Sequence, residues 1–178
     1  MDIFSYAYTL PFLQMILAML LGTLLGVERT FAQKTAGMRT YGLVCMGSCL
    51  FILISTMVAE TFVSVSSFDP LRLAAGVVTG IGFLGAGLII MKDSKLSGLT
   101  TAAGLWVSCG IGMAVGFKFF SVAIFATILT LFSFTILWSI ELRVKAFAKK
   151  DDKGDVDLSK TPSLLSAPST TDTSSINV

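Results

Sequence analysis

Five apolar runs, separated by short polar stretches, set out the chain; they cover about residues 8–27, 41–59, 70–91, 99–115 and 119–140. A helix needs about 20 apolar residues to cross the hydrocarbon core of a bilayer. The last two runs are split on length. From Leu99 to Ile140 only Lys118 is charged, and one helix of that extent would reach roughly 60 Å, twice the hydrocarbon thickness of about 30 Å. The chain must therefore fold back, and Gly116-Phe-Lys118 is the natural turn. Pro11 sits near the start of the first run, where a missing N–H is tolerated. Asp69-Pro70 opens the third: the carboxylate caps free N–H groups while proline sets the first turn. The pattern predicts an all-α integral membrane protein with five transmembrane helices.

The third run, beginning at Asp69-Pro70 and ending at Met91, is crowded with glycine: Gly76, Gly80, Gly82, Gly85 and Gly87 all fall inside it. Each interior glycine costs a soluble helix roughly 1 kcal/mol relative to alanine. In a membrane, small residues instead let two helix backbones approach closely. Gly76 and Gly80 are four apart, as are Gly82 and Ala86, so two faces of this helix are expected to take close neighbours. It is expected to be the central helix of the bundle. Gly22 and Gly26 in the first run, and Gly112 and Gly116 in the fourth, repeat the spacing, and spans three and four are the expected helix pair. Gly80-Ile-Gly-Phe-Leu-Gly85 also spells the string of a dinucleotide-binding turn. That turn needs a strand before it and an acidic residue roughly 20 positions on. No acidic residue occurs between Asp93 and Glu141, so the packing role is preferred.

Composition adds little to the class but sharpens the chemistry. Of 178 residues 54% are hydrophobic and 13% charged, where a soluble domain carries about 25% charge. There is no histidine, which removes the commonest general base and metal ligand together. Cys45, Cys49 and Cys109 lie in apolar runs and read as small buried hydrophobes. No paired base and nucleophile is found, so an enzyme is not expected, nor a cofactor, nor a nucleic-acid partner. With five spans, eleven of the thirteen Lys and Arg residues fall on one side, leaving Arg72 and Lys118 on the other. The excess marks the cytoplasmic face, which puts the N-terminus outside and the C-terminus inside. Tyr41 and Trp138 fit an aromatic belt at the cytoplasmic ends, whereas Trp106 falls mid-span and is expected to pack in the bundle. Residues 1–147 make the membrane domain; residues 148–178, charged and then rich in Ser, Thr and Pro, read as a disordered cytoplasmic tail.

Apart from Arg72 in the first turn of the third, no span as drawn carries a charge, which argues against an ion-coupled pump of the usual kind. Charge gathers at helix ends: Glu28, Arg29 and Arg39 on the cytoplasmic side, Asp69 and Arg72 opposite. Two readings stand. Each charge anchors or caps its helix, or Glu28, Arg29 and Arg39 draw into the bundle as an ion-paired binding surface. Thr100 and Thr101 open the fourth span, either capping it or bonding between helices.

Gly26-Val-Glu-Arg29, Ala36-Gly-Met-Arg-Thr40, Asp69-Pro-Leu-Arg72, Gly80-Ile-Gly-Phe-Leu-Gly-Ala-Gly87 and Gly98-Leu-Thr-Thr-Ala-Ala103, with Trp106 and Ile111-Gly112, occur in this order. Over roughly Gln14 to Gly116 the chain resembles the MgtC/SapB family of bacterial inner-membrane proteins. The resemblance implies a multi-span membrane domain tied to growth in low magnesium, stress adaptation and, in pathogens, survival in macrophages. It also implies inhibition of the proton-translocating ATP synthase, although magnesium transport persists as a family label. Glu28, Arg29, Arg39, Asp69 and Arg72 match the family's charged positions. Two departures stand out: Thr30 occupies a place where an acidic or amide residue is common, and the polar tail is too short to supply the folded C-terminal domain of many members.

The expected function is that of a non-enzymatic regulatory membrane protein acting through helix contacts with a partner in the bilayer. The rivals are a divalent-cation permease, with Asp69 the candidate Mg²⁺ ligand, and a scaffold that self-associates.

Overall fold

Inside a hydrocarbon layer every backbone N–H and C=O must find its partner within the protein, which leaves helices as the natural form of long apolar runs. The computed structural model describes residues 2–61, 69–92, 95–137 and 140. Its helices are α1 (Asp2–Phe31), α2 (Met38–Thr61), α3 (Pro70–Leu88), α4 (Leu99–Gly116) and α5 (Phe120–Phe132). α5 runs on into a five-residue π-helical turn, Ser133–Leu137. Among the described residues four helices are long and apolar enough to cross a membrane, and the fifth apolar helix, Phe120–Ile136, is shorter. The expected tail, residues 148–178, and Trp138 lie outside the described residues.

The helix ends follow local chemistry. Asp69 accepts the Leu71 N–H at 2.9 Å with Pro70 in the first turn, as expected from the sequence. The α4–α5 turn also falls where expected, at residues 117–119. Other bounds move. α1 continues through Glu28 and Arg29 to Phe31, so these charges belong to a helix, not to a loop. The third run stops at Leu88, and a short antiparallel hairpin follows: β1 (Ile90–Lys92) pairs with β2 (Lys95–Ser97), Met91 opposite Leu96. Gly98 then turns the chain into α4 with φ 87°. A Cβ at that position would collide with the Leu88 carbonyl.

The third helix is not the centre of the bundle. Half of the Leu99–Gly116 span is buried within the chain, against 11% of Leu71–Leu88. An added Cβ at Gly76, Gly80, Gly82 or Gly87 meets nothing within 4 Å; only Gly85 touches a neighbour, the Ala102 methyl of α4 at 3.6 Å. The close approaches belong to other glycines. Gly22 and Gly26 bring α1 against the first half of α2, where a Cβ at Gly22 would lie 2.6 Å from the Tyr41 carbonyl. Gly112 and Gly116 of α4 press on the other side of α2, against Cys45, Ser48 and Ile52. α2 and α4 thus form the middle, and α4 packs more tightly on α2 than on the expected partner α3. The same small-xxx-small spacing occurs in α1, α3 and α4, so spacing alone could not say which copies meet a helix within the chain.

The core consists of the α1–α2–α4 seams. Ala18, Leu25, Tyr41, Cys45, Cys49, Ile52, Leu105, Cys109 and Val115 are buried there. Polar groups in these seams find backbone acceptors. Ser108 Oγ donates to the Tyr41 carbonyl at 3.1 Å, and Ser48 Oγ to the Val44 carbonyl at 2.9 Å. Two aromatic placements differ from expectation. Tyr41 is fully buried, its hydroxyl donating to the Thr101 carbonyl at 3.3 Å, rather than lying in an interfacial belt. Trp106, expected inside, is 57% exposed on the outer face of α4.

Candidate functional site

Two places carry more chemistry than helix packing requires. The first is where α1 ends. One step of about 100° around a helix separates Glu28 from Arg29, and here both turn inward: Arg29 is 4% exposed and the Glu28 side chain 16%. Arg29 Nε donates to Glu28 Oε2. The guanidinium carbon lies 3.6 Å from the centre of the Phe134 ring, presented by the π-helical turn after α5. Gly104 of α4 makes room for both Phe134 and Tyr41; a Cβ there would run into each ring. Arginine suits such a place because its planar, delocalised charge stacks on aromatic faces and is less strongly hydrated than an ammonium. The ion pair offsets the cost of withdrawing two charges from water.

Of the three charges expected to cluster, the structure brings Glu28 and Arg29 together and leaves Arg39 outside, exposed on the first turn of α2. Thr30 has a role that its residue type alone did not announce. Its hydroxyl donates to the Gly26 carbonyl at 2.9 Å and accepts the Met38 N–H at 3.2 Å, tying the end of α1 to the start of α2. Thr101 is buried and offers its carbonyl to Tyr41, while Thr100 is exposed. Neither caps α4, whose N-cap is Gly98 with no side-chain bond.

The second place is the open side of α3. Gly76 and Gly80, with Val77 and Ile81, face Val44, Gly47 and Phe51 of α2 across an apolar groove of about 590 Å³. Gly47, like Gly76 and Gly80, has nothing within 4 Å of an added Cβ. Asp69 and Arg72 lie exposed at the start of the same helix, Asp69 engaged as its cap. Among the described residues no group of three His, Cys, Asp or Glu side chains is placed to hold a metal ion.

Several buried polar residues escaped the sequence reading, Ser48, Ser108 and Gln14 among them. Gln14 of α1 is 1% exposed, and its Nε2 donates to the carbonyls of Val115 and Gly116 at 2.6 and 3.1 Å. A glutamine within an apolar run was the available signal. Its Oε1 is buried without a partner.

A helical bundle with four long apolar spans, a buried ion pair at one helix end and an open glycine-lined groove defines a multi-pass membrane protein. The chain belongs to the MgtC family, whose model matches residues 15–143. It is 42% identical over 135 residues to an uncharacterized protein of Haemophilus influenzae, covering 74% of this chain and 57% of that one. It is 37% identical over 134 residues to the Escherichia coli K12 protein named "Putative magnesium transporter YhiD", covering 74% and 62%. It is 46% identical over 119 residues to Protein MgtC of Salmonella typhimurium, covering 67% and 48%. The chain therefore spans about half to three fifths of the length of these relatives. No solved structure matches it.

Proposed function

We propose that this protein is a non-catalytic regulator in the bacterial inner membrane, linked to magnesium limitation and stress adaptation. It acts by receiving a transmembrane helix of a partner protein in the groove between α2 and α3. One observation carries this reading: Gly47, Gly76 and Gly80 line an apolar groove that no part of the described chain fills. Glycine at these places packs against none of the described residues and lowers helix propensity. Its use is outward, where a bare backbone lets a second helix come close. The family resemblance names the proton-translocating ATP synthase as the first partner to test, and the orientation with the C-terminus cytoplasmic follows from the Lys and Arg distribution.

Gly80→Leu tests the groove directly, because a Cβ at that position meets nothing within 4 Å among the described residues. In membranes from magnesium-starved cells, cross-linking and pull-down with the full-length variant should lose the partner while insertion and helix content persist. Undiminished partner capture and function in Gly80→Leu would overturn the proposal.

The name of the Escherichia coli relative favours a second reading, a divalent-cation permease. Mg²⁺ keeps several of its waters and takes oxygen ligands. Purified protein in liposomes separates the readings: Mg²⁺ flux that is lost in Asp69→Ala belongs to a permease, and a regulator shows none.

A further inference from the structure

A second hollow lies on the other side of α3, between α3, α4 and α5, with a volume of about 420 Å³. Its walls include Trp106, Gly110 and Ala114 of α4, Val122 and Ala126 of α5, and Val78 of α3. The α4 residues are four apart on one face of their helix, as are Val122 and Ala126 on theirs. Gly110, Ala114 and Ala126 hollow the groove by the smallness of their side chains, and a Cβ at Gly110 would still meet nothing within 4 Å. From Trp106 to Ala114 the α4 wall is about 12 Å long at 1.5 Å per residue.

The turn beyond one end of the groove carries a charge. Lys118 is exposed in the turn that joins its two long walls, and among the described residues no carboxylate lies within 4 Å of it. A cation in the turn that ends an apolar slot matches a molecule with an anionic head and an apolar tail. We propose that this groove is a binding site for an anionic phospholipid of the leaflet facing the α4–α5 turn, with its phosphate on Lys118 and one acyl chain along Trp106, Gly110 and Ala114. The site is separate from the α2–α3 groove and does not depend on the reading given to that groove.

Trp106, 57% exposed and part of the wall, reports on the occupant directly. The sequence has two tryptophans, so full-length Trp138→Phe protein leaves Trp106 as the single fluorophore. It is reconstituted in phosphatidylcholine bilayers containing a small, equal fraction of either phosphatidylglycerol or phosphatidylcholine with brominated acyl chains. Brominated phosphatidylglycerol should quench Trp106 at about fivefold lower mole fraction, the selectivity that one basic residue near a membrane surface provides. Lys118→Gly removes the charge and suits the left-handed backbone there, φ 67°, so the fold is spared; the preference should vanish while residual quenching stays. Lys118→Arg should keep it. Ala126→Phe, which narrows the slot, should weaken quenching by both lipids.

Equal quenching by the two lipids in the Trp138→Phe protein would overturn the proposal, as would a preference that survives Lys118→Gly. Absence of quenching by either lipid would also overturn it, because the groove would then be closed to lipid and filled by protein.

Discussion

Adding one methyl group at a glycine should have opposite effects on the two sides of this bundle. At Gly112 a Cβ would run into the Cys45 carbonyl and the Ser48 hydroxyl of α2. The first obstacle is backbone, which cannot swing aside as a side-chain tip can, so α2 and α4 must separate. Overpacking of this kind costs about 1–3 kcal/mol. The better helix propensity of alanine returns at most about 1 kcal/mol. Separation also strains the Ser108–Tyr41 bond, which crosses the same seam at 3.1 Å. Gly112→Ala should therefore lose about 1–2 kcal/mol or more. At Gly80 the new methyl enters open space, so Gly80→Ala should be neutral or gain up to about 1 kcal/mol. Reversible unfolding of purified full-length protein in mixed micelles, followed by circular dichroism, measures both. If Gly112→Ala proved as stable as the parent, or Gly80→Ala lost more than about 1 kcal/mol, the assignment of α2–α4 as the tight seam and α3 as the open face would be wrong.

Two further outcomes follow from the buried polar groups. Arg29→Met leaves Glu28 largely buried beside an apolar chain and removes the cation from Phe134; breaking such a pair from one side costs about 3 kcal/mol or more. Glu28→Leu should cost a similar amount and the double variant much less than the sum, so additive losses in the same unfolding assay would refute a coupled pair. Gln14→Leu should be mild, at about 1 kcal/mol or less: interhelical hydrogen bonds in membranes average about 0.6 kcal/mol, the unpartnered Oε1 disappears with the side chain, and the Val115 carbonyl keeps the Lys118 N–H at 3.0 Å. A loss above about 3 kcal/mol would show that Gln14 holds α1 to α4 in some further way.

The helices were legible because apolar run length is a one-dimensional property. Lys118 marks the α4–α5 turn, and Asp69-Pro70 marks the start of α3, through chemistry confined to a few neighbouring residues. Which faces meet is different in kind. Gly76-xxx-Gly80 and Gly112-xxx-Gly116 look alike in sequence, yet one pair faces an open groove and the other lies against Cys45 and Ile52. The choice is made by what α2 presents to each, Ser48 and the carbonyls of one face, and that cannot be read from either glycine pair. Tyr41 and Trp106 exchange their expected places for the same reason. Gly104 opens a pocket for the Tyr41 ring, and no described residue of the chain closes over Trp106, which stays more than half exposed. The Glu28–Arg29 pair was half legible: adjacency gave the partner, while the Phe134 ring that covers Arg29 arrives from 105 positions away on a π-helical turn.

α3 is held to the rest by little. Ile81 is its one large buried side chain, Gly85 meets Ala102, and the hairpin with its Gly98 turn ties the helix end to α4. Ile81 and Cys109 line both grooves, so the two hollows share a wall one side chain thick. A bundle of this composition could have closed both hollows by placing leucine at positions 76, 80 and 110, at no cost in hydrophobicity and with better helix propensity. Keeping them open leaves van der Waals contacts unmade within the chain, and in a membrane those contacts are the main attraction between helices. Among the described residues nothing makes those contacts, which leaves them open to an occupant of the kind proposed above. In that sense the looseness of α3 and the openness of its two sides are one property: a helix that made all its contacts internally would have none to offer a partner.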